Sequence, residues 1–171
     1  MKYITIILLF FNCNNTNKKE LVNLETKTEQ IETNVVITYP KDWSIVEDDK
    51  ILFAVKNECP DIFCPVLTIV KDSLNIDIKQ YVSQGIYSLE TSTNYELIEQ
   101  SILSSNDRDI FFTKYSTENR GSILIDGVYF VVLDESVYII HCLALEKGNN
   151  SFDLNNNLFD EIIFSLNYIN E

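Results

Sequence analysis

From Ser122 to Glu146 the chain reads SILIDGVYFVVLDESVYIIHCLALE, two apolar runs around a polar break at Asp134, Glu135 and Ser136. Val, Ile, Tyr and Phe dominate and no 3.6-residue period runs through the stretch, so the pattern predicts two antiparallel strands joined by a tight turn. The runs are nearly continuous rather than alternating. A strand that is apolar on both sides is usually covered on both, which places this hairpin at the centre of a sheet with helices above and below. Asp126-Gly127 lies inside the first strand and is expected to form a bulge, because a turn there would leave a very short strand before it.

The rest of the chain falls into segments around that hairpin. Val35 to Tyr39 reads as a short strand, Pro40-Lys41-Asp42 as a turn, and Trp43 to Glu47 as the next strand. Trp43 is the single tryptophan, and its place at the start of a strand suits a core anchor. Glu47-Asp48-Asp49 makes a solvated turn; it lacks the ligand spacing and turn glycine of a calcium loop. Ile51 to Lys56 and Val66 to Lys71 are further strands. Between Asn75 and Thr91 the period changes: Ile78, Val82, Ile86 and Leu89 share one helical face, with Asn75 or Asp77 as the N-cap. Gly85 weakens this helix and suits a close approach to the sheet. Tyr95 to Leu103 and Asp109 to Thr117 read as strands that lead into the central hairpin. Asp153 to Leu166 reads as the closing helix, striped by Leu158, Phe159, Ile162, Ile163 and Leu166 and capped by Asp153 or Asn155. The predicted class is α+β, a central antiparallel sheet with helices on both faces.

The N-terminus has a different character. Met1 to Phe11, MKYITIILLFF, is too short to span a bilayer as a helix but fits the apolar region of a secretory signal. Cys13 follows at its end, and the arrangement resembles a bacterial lipobox, in which the cysteine thiol carries diacylglycerol. Asn12 and Phe10 stand where that motif has a small residue and, often, leucine. An ordinary signal peptide is the alternative. On the lipobox reading, residues 1–12 are a signal peptide, residues 13–34 a lipid-anchored flexible tether, and residues 35–169 the folded domain. Lys18-Lys19-Glu20 gives no acidic export signal after Cys13, so display on the cell surface is not supported.

Charge and composition narrow the partners. The formal net charge of −13 repels a nucleic-acid backbone and an anionic membrane surface alike, so nucleic-acid binding is not expected and any attachment to a membrane has to come from something other than a basic patch. Four glycines argue against a Gly-rich phosphate binder. The sequence contains no G-x-G-x-x-G, P-loop, H-E-x-x-H or C-x-x-C motif. Cys59 and Cys64, each followed by proline, are expected to form a local disulfide in an oxidising compartment, with free thiols or a metal or redox site as the alternatives. A Ser–His–acid triad would have to use His141, the only histidine; its place mid-strand between Ile140 and Cys142 suits a packed or edge histidine instead. Cys142 reads as a small buried thiol. Tyr81 and Tyr87, at the margins of the first helix, are candidates to line a cleft between helix and sheet. No catalytic, cofactor or metal site is expected.

The order of elements around Tyr39-Pro40-Lys41-Asp42-Trp43, with a helix after Asn75, a four-strand meander and a closing helix, resembles the PsbP-like superfamily. That group includes extrinsic photosystem proteins, Mog-type Ran-binding proteins and DcrB-like envelope lipoproteins, and the resemblance covers Val35 to Ile169. It implies an antiparallel sheet between helices, no shared catalytic residues, and a role in binding or assembly. The expected function is therefore a non-catalytic, envelope-anchored lipoprotein, periplasm-facing, that binds or helps assemble an envelope protein partner. The alternative is a periplasmic small-molecule or lipid binder.

Overall fold

The computed structural model describes residues 24–60, 63–91, 94–105 and 108–169. The signal segment and Cys13 lie outside the described residues, and so does the first half of the stretch expected to be a tether, residues 13–23. The chain forms β1 (Thr26–Glu32), β2 (Val35–Pro40), β3 (Trp43–Ile45), β4 (Phe53–Asn57), β5 (Val66–Ser73), α1 (Ile78–Glu90), β6 (Tyr95–Ser105), β7 (Arg108–Asn119), β8 (Ser122–Leu133), β9 (Ser136–Leu145), α2 (Phe152–Phe164) and β10 (Asn167–Tyr168).

The strands make two antiparallel sheets rather than one. Seven strands run in the order β3-β4-β5-β9-β8-β7-β6, and three in the order β1-β2-β10. The β8–β9 hairpin sits in the middle of the larger sheet, joined by a two-residue turn in which Asp134 adopts a left-handed φ of 52°. Aspartate tolerates that conformation better than most residues, and the turn holds Leu133 opposite Ser136.

Three local expectations are corrected. Residues 26–32, assigned by sequence to the tether, form β1: backbone pairing to β2 holds a strand whose side chains are largely polar, half-buried or exposed and none fully buried. Asp126-Gly127 is not a bulge, because β8 stays in register on both sides, with Lys114 opposite Gly127 and Tyr115 opposite Asp126. The bulge in this sheet lies at the edge strand, where the register shifts between Leu97 and Glu99. Finally, α2 begins at Phe152 after an N-cap at Ser151 that makes no side-chain cap bond. Asn155, expected as a cap, is buried within the helix with its Nδ2 donating to the Ser151 carbonyl at 2.8 Å. The α1 cap is at Asp77, whose Oδ1 accepts from the backbone N–H groups of Lys79 and Gln80 at 2.9 and 3.3 Å.

Two apolar cores result. The larger joins β2, α2 and the sheet through Ile37, Tyr39, Phe159, Ile162, Tyr129 and Val131 among others. Trp43 is buried there, edge-on to Phe159 at 6.2 Å between ring centres. The smaller joins Val82 and Ile86 of α1 to Tyr115, Val128, Phe130 and Val137. Along β8, then, Val128 and Phe130 pack with α1 while Tyr129 and Val131 pack with α2. Arg108, at the start of β7, donates its Nη2 to the carbonyls of Phe164 and Leu166 and so satisfies the C-terminal end of α2, which has no basic residue in its last turn.

Candidate functional site

On the side of the sheet that α1 covers, two strand residues break the apolar floor. Asp126 of β8 is 4% exposed. Its Oδ2 lies 3.0 Å from Nδ1 of His141 on β9. The register explains the pairing: His141 stands opposite Val128, and Asp126 lies two residues along the same strand, hence on the same face. Burial alone would lower the His141 pKa. The hydrogen bond and negative charge of Asp126 outweigh it, and the imidazole titrates above its ordinary value. The other carboxylate oxygen, Oδ1, is buried and has no hydrogen-bond partner among the described residues. A buried oxygen of this kind is uncommon in a folded protein.

His141 lies at the junction of two open cavities. One, of about 330 Å³, is a mostly apolar groove between α1 and the hairpin, with Tyr81 and Leu89 on one wall and Val128, Phe130 and Ile139 on the other. The second, of about 470 Å³, lies past the end of α1 and is more polar, with Tyr95, Thr117, Glu118, Asp126 and Leu143 in its lining. Tyr81 is held by its hydroxyl, which donates to Asp72 Oδ2 at 2.7 Å, and its ring meets Phe130 edge-on at 6.4 Å. Burial, together with that bond and the charge of Asp72, pushes the Tyr81 pKa up to about 12. The two tyrosines singled out by sequence are therefore not brought together. Tyr81 lines the groove; Tyr87 is 68% exposed and lines none of the cavities described here.

Chemically, the pair can hold or pass a proton at His141, with Asp126 fixing the ring through Nδ1 and leaving Nε2 as its second nitrogen. Cys142, next along β9, points into the other core, where burial raises its thiol pKa well above normal and keeps it neutral. Cys59 and Cys64 are joined by a disulfide and line neither cavity. Among the described residues, no three or more His, Cys, Asp or Glu side chains are grouped to hold a metal ion, and no helix is long and apolar enough to cross a membrane.

Sequence reasoning placed His141 correctly in mid-strand but missed Asp126 as its partner. The signal was present. The two-residue turn fixes the hairpin register, and Asp126 is the one charged residue inside the apolar strand facing the only histidine.

No protein-family model and no curated protein sequence matches the chain. Solved structures do. The solution structure of cyanobacterial PsbP (CyanoP) from Synechocystis superposes with a TM-score of 0.65 at 12% identity, over 84% of this chain and 92% of that one. LpqN, described as involved in cell envelope biogenesis of Mycobacterium tuberculosis, gives 0.59 at 10% identity over 90% and 99%. A protein of unknown function from Pseudomonas aeruginosa, PA94, described as a putative regulator, gives 0.58 at 12% identity over 86% and 99%. The fold is thus the PsbP-like α+β fold, mostly antiparallel sheet with two helices among the described residues, and LpqN, involved in cell envelope biogenesis, is among the proteins that share it.

Proposed function

We propose that the chain is a non-catalytic binding or assembly module of the bacterial cell envelope, held to a membrane through lipid at Cys13 and facing the periplasm. The observation that carries the reading is the fold shared over nearly its whole length with LpqN, a protein of cell envelope biogenesis. The apolar N-terminal segment ending at Cys13 and the Cys59–Cys64 disulfide support an oxidising, extracytoplasmic address. We read the body as helix, sheet and helix in layers, since side chains alternate across a strand and neighbouring residues of β8 pack with different helices. The partner is a membrane-associated envelope protein. A second reading, a small-molecule or lipid binder, is favoured by the groove beside Tyr81 with its apolar floor and single His–Asp pair.

Crosslinking in native cells, followed by isolation of a tagged chain beside a Cys13→Ser version, tests the reading. Saturable recovery of the same envelope protein with the anchored chain supports it, and recovery by the anchored chain alone adds that the lipid is required. No partner with either version contradicts assembly and favours the groove ligand.

A further inference from the structure

We propose that the pocket past the end of α1 binds an organic cation, an ammonium or guanidinium group carried by a free small molecule or by a lysine or arginine side chain of a partner. The inference rests on the reading of the chain as a binding protein and gives that reading a chemistry. Three observations converge on it.

Asp126 is a nearly fully buried carboxylate in the pocket wall whose Oδ1 has no hydrogen-bond partner among the described residues, so its charge is only partly compensated. In a low-dielectric wall an incompletely neutralised carboxylate projects its field into the adjoining space. That field reaches across the pocket: the Tyr95 hydroxyl titrates high, first because of burial and then because of the negative charge of Asp126.

Tyr95 supplies an aromatic ring in the lining, supported edge-to-face by Tyr115 at 6.1 Å. An aromatic face beside carboxylates is the environment in which ammonium and guanidinium groups are recognised. Glu118 lines the same pocket, and the adjoining hollow shares Tyr95, Thr117 and Glu118 and adds Glu90 from α1 and Glu96 from β6. Among the described residues no lysine or arginine lines either space.

The charge already present is that of His141. When protonated, it is the cation beside Asp126, so a bound cation and the His141 proton compete for one carboxylate. The other titratable groups around that carboxylate are Glu118 and Tyr115 of β7, Tyr95 of β6, the neutral thiol of Cys142 on β9 and, further out, Glu90 of α1 and Glu96 of β6; none adds positive charge. Binding therefore weakens as pH falls through the raised titration range of His141.

Calorimetric titration of the full-length chain tests this, with agmatine as the free cation, an uncharged-ended tripeptide bearing one arginine as the side-chain form, and butyrate as the anionic control. Near pH 8, at least one cation saturates below about 10 mM and butyrate does not; affinity falls about tenfold near pH 5.5 and in Asp126→Asn. Glu118 is exposed, so Glu118→Gln keeps the fold and gives a second weakened variant should Asp126→Asn fail to fold. Preference for agmatine assigns a free amine, and preference for the tripeptide assigns a partner's side chain. No saturation by either cation, or wild-type affinity in every folded variant, overturns the inference. Capture of an envelope partner alongside no cation binding overturns this inference alone. Cation binding without any captured partner overturns the assembly reading alone.

Discussion

The Phe152 ring occupies the space in which a side chain at Gly127 would begin. A Cβ built there would lie 2.6 Å from Phe152 Cζ and 3.1 Å from Phe112 Cε2. Phe152 opens α2, is fully buried, and carries Lys114 Nζ over its ring at 4.9 Å. Glycine is therefore required by packing against the incoming helix and not by a turn or bulge. Gly127→Ala is expected to cost about 1–3 kcal/mol of folding stability by overpacking. Combining it with Phe152→Leu should recover part of that loss, and a double-mutant cycle in urea measures the coupling.

Gly85 is the contrasting case. A Cβ there would meet Phe130 at 3.5 Å, an ordinary contact distance. The residue lies inside α1 without a steric reason to be glycine, so Gly85→Ala should stabilise the domain by about 0.5–1 kcal/mol through helix propensity. The same urea titration measures both glycine variants, and they are expected to move the midpoint in opposite directions.

These two glycines mark what the sequence could reveal. The central hairpin, its turn at Asp134-Glu135, the α1 cap as Asn75 or Asp77, and the meander were legible because each leaves a local signature of apolar runs, turn residues or a capping side chain. The strand β1 left none. TKTEQIE has Ile31 as its only large apolar residue, and what makes it a strand is backbone pairing to β2. The start of α2 was placed one residue late, and its cap at Asp153 or Asn155 instead of Ser151, because burial of Phe152, a tertiary contact, sets it instead of a capping side chain. At the site, Tyr81 was legible as half-buried. Asp126 was not recognised as the partner of His141 because their meeting depends on register across the hairpin, which had to be applied to both strands at once.

The His141–Asp126 pair makes stability depend on pH in a stated direction. The His141 pKa is raised in the fold, so its contribution is present in full below its ordinary value of 6.5 and is lost as pH rises through the raised one. The stability difference between wild type and His141→Gln is therefore expected to be larger near pH 5.5 than near pH 8.5. Denaturation of both proteins at the two pH values measures it. An equal difference at both would mean that the pair does not hold a proton in the native state.

The cysteines should separate by reactivity. Cys142 is fully buried with its thiol kept neutral, so it should resist alkylation in the native chain and react on unfolding. Cys59 and Cys64 should resist until reductant is added. Their bridge closes a short loop, and Cys59→Ser with Cys64→Ser is expected to cost about 2 kcal/mol by the chain-entropy estimate. Mass spectrometry after alkylation, with and without reductant, reads all three.

The most direct test of the account is a photo-crosslinking residue placed at Thr117, which lines both hollows beside Tyr95, and at Lys50, an exposed turn residue that lines neither. Both are introduced into the full-length chain in its native cells. The account predicts a discrete envelope-protein adduct from position 117, competed by added agmatine, and none from position 50. Adducts from position 50 alone, or identical adducts from both positions, would contradict it.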